Sequence, residues 1–110
     1  MRIVCISDTH GLHAQLRLPD GDLLVCTGDF SRRGRRAEVV EFNRWLGTLP
    51  HRHKVIIAGN HDFLLEEDSS ARSLFDHAIY LQDSECQIEG IRIYGSPWQP
   101  RFFDWAFNLD

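Results

Sequence analysis

Long hydrophobic runs are missing from this sequence. No apolar stretch approaches the ~20 residues that cross a bilayer. The opening "MRIVCISDTH" carries too short an apolar run, with no small-residue cleavage site after it, to read as a signal peptide. Cysteine is scarce: Cys5, Cys26 and Cys86 are odd in number and form no CxxC pair. Cys5 and Cys26 lie inside apolar runs, so free, buried thiols in a reducing compartment are expected, and the expected location is cytoplasmic. An excess of positive charge is also absent. Twelve Lys and Arg stand against 16 Asp and Glu, a formal net charge of −4, which argues against a chain built to grip nucleic acid or an anionic membrane. There is no internal repeat, low-complexity tract or linker.

What remains is an ordinary globular composition of 110 residues, 43% hydrophobic and 25% charged. A chain of this length forms one domain and buries roughly two-thirds of its unfolded surface. One local pattern recurs: "RIVCI" runs into "SDTH", "LLVCT" into "GD", "KVIIA" into "GNHD" and "IRIY" into "GSPW". Each is a short apolar or β-branched run succeeded by Gly or Ser and then by polar groups. The first three read as strands covered on both faces, which favours a parallel sheet with crossover helices. In "RRAEVVEFNRWLGTLP", Val39, Phe42, Leu46 and Leu49 recur at helical spacing until Pro50. A second helix is expected over Leu65–Phe75. Beyond it "CQIEG" and "IRIYG" read as an antiparallel hairpin turning at "EG". The fold class is therefore α/β, a mostly parallel sheet flanked by helices with a C-terminal hairpin. The last stretch, "WQPRFFDWAFNLD", holds Phe102, Phe103, Trp105 and Phe107. That is too much apolar surface for a free tail, so it is expected to pack on this domain, on a protein partner, or on a further part of the fold.

In open α/β sheets ligands collect beyond the carboxyl ends of the strands. The residues falling there are Asp8 and His10, then Asp29, then Asn60, His61 and Asp62. If Ser7–His10 stays extended, Asp8 and His10 project to the same side. A carboxylate beside an imidazole suits Zn, Mn or Fe better than Ca or Mg. Asp29 adds a carboxylate able to bridge two ions ~3.5–4 Å apart, and Asn60 offers a neutral carbonyl oxygen. Gly28 and Gly59 allow a sharp strand exit and close backbone approach. Read alone, "SDTH" is equally an ordinary helix cap with a surface histidine. The register of Asp29 and Asn60–His61 on the neighbouring strands favours the metal.

The other candidates have plain readings. His13 is expected as a solvated loop histidine, and His51, His53 and His77 as surface residues. "RRGRR", Arg32 to Arg36, is a solvated loop feeding a helix or a phosphate-attracting patch. Trp45 is expected in the core or against a partner. Trp98 either walls the pocket or packs structurally.

The blocks "D-x-H" at Asp8–His10, "G-D" at Gly28–Asp29 and "G-N-H-D" at Gly59–Asp62, at spacings of roughly 20 and 30 residues, resemble the calcineurin-like metallophosphoesterase superfamily. The text between them looks like its metallophosphoesterase-domain-containing branch, which includes cyclic-nucleotide phosphodiesterases. The resemblance implies that Asp8, His10 and Asp29 hold a first divalent ion and that Asp29 and Asn60 hold a second. It makes Asn60 and His61 substrate-binding, has His61 protonate the leaving oxygen and places Asp62 behind His61 to orient its ring. The reaction implied is in-line attack on phosphorus by a metal-bound hydroxide. The superfamily's later "GH" and "GHxH" ligand blocks do not occur here. The chain is therefore expected to correspond to the N-terminal part of the domain, the first half of its αββα sandwich, with a weak second metal site. The function expected is a metal-dependent phosphodiesterase acting on a small-molecule phosphodiester. Two alternatives stand beside it: a non-catalytic scaffold or fragment with an incomplete metal site, and a nuclease of the same superfamily.

Overall fold

A computed structural model describes residues 1–109. Four short strands, β1 (Ile3–Ile6), β2 (Leu23–Cys26), β3 (His53–Ile56) and β4 (Ile79–Tyr80), pair in parallel in the order β1-β2-β3-β4. Helix α1 (Arg36–Gly47) connects β2 to β3, and the short helix α2 (Phe63–Glu67) with a 3₁₀ segment over Ser69–Leu74 connects β3 to β4. The expected mixed α/β architecture with a parallel sheet is present. Among the described residues, no helix is long and apolar enough to cross a membrane.

Side chains along a strand alternate between the two faces of a sheet, and each face has its own core. Leu24, Cys26 and Ile56 face α1, where they meet Val39, Phe42, Trp45 and Leu46. Phe30 stacks on Phe42 at 4.7 Å between ring centres. Leu23 and Val55 face the other way and pack on Leu81 and Ile88. That second cover comes from a hairpin, β5 (Ser84–Ile88) and β6 (Ile91–Gly95), closed by the two-residue turn Glu89–Gly90. The hairpin forms a sheet of its own that caps a face. Each fully buried large apolar side chain here contributes about 1.5–3 kcal/mol.

Three expectations need correcting. Strand β1 lies at the sheet's edge and is covered on one face only: Val4 is buried, whereas Ile3 and Cys5 are exposed. The hairpin covers β2 and β3 and leaves this corner open, so Cys5 is not a buried thiol. Helix α1 ends at Gly47, where Thr48 N–H turns to the Trp45 carbonyl, before Pro50 is reached. The helix expected over Leu65–Phe75 is broken at Asp68. The extended backbone of Asp68 ends α2, and its carboxylate takes the Ser70 N–H at 3.0 Å to start the 3₁₀ segment.

The aromatic C-terminal stretch folds back on the body. Two short strands, β7 (Gln99–Pro100) and β8 (Asn108–Leu109), pair in parallel. Phe107 is fully buried, and Ala106 N–H donates to the Asn60 carbonyl at 3.0 Å. Trp98 packs structurally: its indole N–H donates to Asp83 at 2.6 Å and its ring meets Phe107.

Candidate metal centre

The chain leaves β1, β2 and β3 at the same end of the sheet, and the three exits are bonded to one another. Asp8 N–H donates to the Gly28 carbonyl, His10 N–H to Asp29 and Gly11 N–H to Phe30, at 3.1, 3.0 and 2.9 Å. This is not the extended run assumed for Ser7–His10. Strand β1 stops at Ile6, and Asp8, His10 and Asp29 all adopt positive φ, +56°, +44° and +55°. Left-handed backbone at a residue other than glycine costs on the order of 1–3 kcal/mol and clusters at functional sites. Aspartate and histidine are among the residues that tolerate it best. Asp8 and His10 do end side by side, with Oδ1 and Nε2 3.7 Å apart, but a coiled exit brings them together, not strand alternation.

One ligand atom each from His10, Asp29 and His61 lies within 4.8 Å of the others. Asp8 joins this group through His10 and through a hydrogen-bonding approach to Asp29. The two histidine rings meet edge to face at 4.6 Å. Each is oriented by the loop after β2: His10 Nδ1 sits 3.2 Å from the Ser31 carbonyl, and His61 Nδ1 3.1 Å from the Arg32 carbonyl. A carbonyl only accepts, so both Nδ1 atoms carry a proton, which leaves Nε2 as the ring nitrogen available to a cation. Metal-bound histidines commonly have this arrangement, with the far ring nitrogen donating to a carbonyl or carboxylate.

The carboxylates fit the same reading. Burial, and after it the neighbouring Asp8, raises Asp29, while the Ser7 hydroxyl holds Asp8 below the usual range. Two carboxyl groups at this approach need a proton or a cation between them. One carboxylate and two imidazoles, with the Asp8 carboxylate beside His10, suit a first-row divalent ion.

Asp62 has a different place from the one expected. It does not orient the His61 ring, a task met by the Arg32 carbonyl. Its carboxylate is fully buried and accepts Asp29 N–H at 2.8 Å, Gly59 N–H at 2.7 Å, Ser31 N–H at 3.2 Å and the Ser31 hydroxyl at 2.5 Å. It therefore ties the exit of β3 to that of β2. Burial pushes its carboxyl up to about 6, against the pull of Ser31 and Gly59. The two exits also pass in close contact. A Cβ on Gly59 would lie 2.2 Å from Asp29 Oδ1, and one on Gly28 would lie 2.6 Å from Gly59 N.

Asn60 stands at the same strand end, half-buried, with its carbonyl engaged by Ala106. His13 is not a solvated histidine: it is 4% exposed, with its ring against Phe42 and Trp45 and Nε2 3.4 Å from Glu41. His51 is likewise buried, on the Pro19 carbonyl. His53 and His77 stay outside the site. Trp45 is in the core as expected.

Residues 1–107 match the family model for the calcineurin-like phosphoesterases. The chain belongs to this family. Metallophosphoesterase domain-containing protein 1 of Homo sapiens is 42% identical over 132 aligned residues, covering 98% of this chain and 40% of that protein. A UPF0046 protein of Caenorhabditis elegans is 39% identical over 140, covering 99% of this chain and 35% of its own length. This phosphoesterase-family chain thus spans about two-fifths of the length of the curated relatives it matches.

Sequence reasoning missed Ser31, the loop carbonyls and Trp105, whose ring packs on His61 at 4.0 Å. Ser31 and the carbonyls have no motif of their own, and Trp105 reads in the sequence only as apolar surface.

Proposed function

We propose that the protein is a metal-dependent phosphoesterase whose substrates are phosphodiesters, cyclic nucleotides among them. The observation that carries this reading is the convergence of His10, Asp29 and His61 with both imidazoles locked through Nδ1. In it Asp8, His10 and Asp29 hold a divalent ion, with His61 beside them and Asn60 available to a second. A cation bound there supplies Lewis acidity toward a phosphoryl oxygen.

The chain's own groups do the rest. Asp29 takes His61 N–H at 3.0 Å, which sets the His61 backbone against the carboxylate. His61 is oriented by the Arg32 carbonyl and backed by Trp105; with a proton on Nε2 as well as on Nδ1, it donates to a phosphate oxygen or to the departing alcohol. Asp62 is a positioning residue that holds the exits in register. Purified protein given Mn²⁺ hydrolyses a bis-aryl phosphodiester, and Asp29→Ala abolishes turnover. Turnover that persists in EDTA or survives this substitution overturns the reading.

A further inference from the structure

Beside His61 lies a cleft of about 720 Å³ bordered by Arg32, Arg33, Phe63, Phe103 and Trp105. Its size falls within the range of small-molecule sites. Its lining combines three aromatic rings with two guanidinium groups, against the single acid Asp104. Arg32 has its Nε–H on the His10 carbonyl at 3.1 Å, while the Arg33 side chain has no hydrogen-bond or ion-pair partner among the described residues.

Phe103 is the odd member. It is 74% exposed and holds a positive φ of +49°, a genuine outlier for a bulky residue. It is nonetheless braced. The Asn108 side chain donates to the Phe103 carbonyl at 2.8 Å and accepts Phe102 N–H at 3.0 Å, and the two phenylalanine rings meet edge to face at 4.7 Å. This large apolar ring is held in strained backbone at the lip of a cationic cleft. Such strain is characteristic of a ligand clamp.

We propose that this cleft binds the organic group of the phosphoester, that this group is a flat aromatic ring gripped by Phe103 and Trp105, and that Arg33 attracts the anion. The proposal rests on the phosphoesterase reading of the adjoining centre and names the substrate class it selects. Phe103 and Arg33 are then specificity-determining residues.

The test uses phenyl phosphate and cyclohexyl phosphate, which share a head group and differ in aromaticity. Each is titrated into the full chain in EDTA, tracking the Trp105 indole N–H by NMR, and Mn²⁺ is added to a separate sample without ester. The His10 ring signals report Mn²⁺ by paramagnetic broadening. Phenyl phosphate binds about fivefold tighter than its saturated analogue. Phe103→Ala, and Phe103→Leu which keeps apolar bulk, both lower that ratio by about half or more, while Arg33→Ala weakens the two esters alike. Equal affinities, failure of both esters to bind, or a ratio that survives both Phe103 variants overturns the proposal. Ring preference in EDTA without His10 broadening by Mn²⁺ leaves the cleft standing and removes the metal reading. Broadening without ring preference does the reverse.

Discussion

Asp29 N–H donates to the buried carboxylate of Asp62 at 2.8 Å, so the exit of β2 is held by a side chain from the exit of β3. Ser31 and Gly59 donate to the same carboxylate. The donor group is thus fixed from beneath by a residue that faces none of the solvent.

Asp62→Ala strands these donors in a buried place. Each unsatisfied group costs about 1–3 kcal/mol, so urea unfolding should show a loss of at least about 3 kcal/mol. Ser31→Ala keeps the carboxylate and removes one donor, for an expected loss of about 1–2 kcal/mol. Equal midpoints for Asp62→Ala and the parent would refute the bracing role.

Metal addition should stabilise the chain through Asp29. At a hundredfold excess over Kd a bound ion adds about 2.7 kcal/mol. Mn²⁺ therefore raises the thermal midpoint of the parent, EDTA reverses the gain, and Asp29→Asn abolishes it with the fold intact by circular dichroism.

Gly59→Ala tests the close approach of the two exits. The new methyl meets Asp29 Oδ1 at 2.2 Å and Asp29 N at 2.5 Å, and overpacking of this kind costs about 1–3 kcal/mol. Both the urea midpoint and Mn²⁺ affinity should fall. A methyl at Gly90, which meets nothing within 4 Å, should leave Mn²⁺ affinity unchanged.

Thiol labelling separates the cysteines. Burial pushes Cys26 up to about 12, while Cys5 is exposed on the open face of β1. At pH 8 the native chain should label at Cys5 first, with Cys26 reacting only on unfolding, as mass spectrometry of the modified peptides will reveal.

Acid should loosen the hairpin through Asp83. The Trp98 indole, then the Ser96 and Tyr94 hydroxyls, hold its carboxyl below the usual range. A folded value below the unfolded ~3.9 gives stability that is present above that value and is lost as pH falls through the folded one. Trp98 fluorescence should change in that acidic window, and Asp83→Asn should remove the step.

Much of this molecule is legible in its residues because strand and site share a cause. "LLVC" and "KVI" are buried runs, and the polar residues directly after each run must stand at the ligand-binding end of a parallel sheet. The sequence alone therefore places Asp8, His10, Asp29, Asn60, His61 and Asp62 at that end. It does not show the manner of their meeting, because left-handed backbone at Asp8 and His10 comes from hydrogen bonds to a loop some 20 residues away. The role of Asp62 is hidden for a similar reason. A carboxylate next to a histidine in sequence suggests a partner for its ring, yet the β3 exit turns it under the backbone. His13 reads as solvated because it falls in the loop between two strands, but Phe42 and Trp45 of α1 enclose it.

The strand order β1-β2-β3 places every donor of the cluster on consecutive connections, all emitted before α2 begins. During synthesis the donor cluster is thus complete in the chain once His61 has been added. The aromatic segment arrives after it, and Trp105 comes to rest on His61.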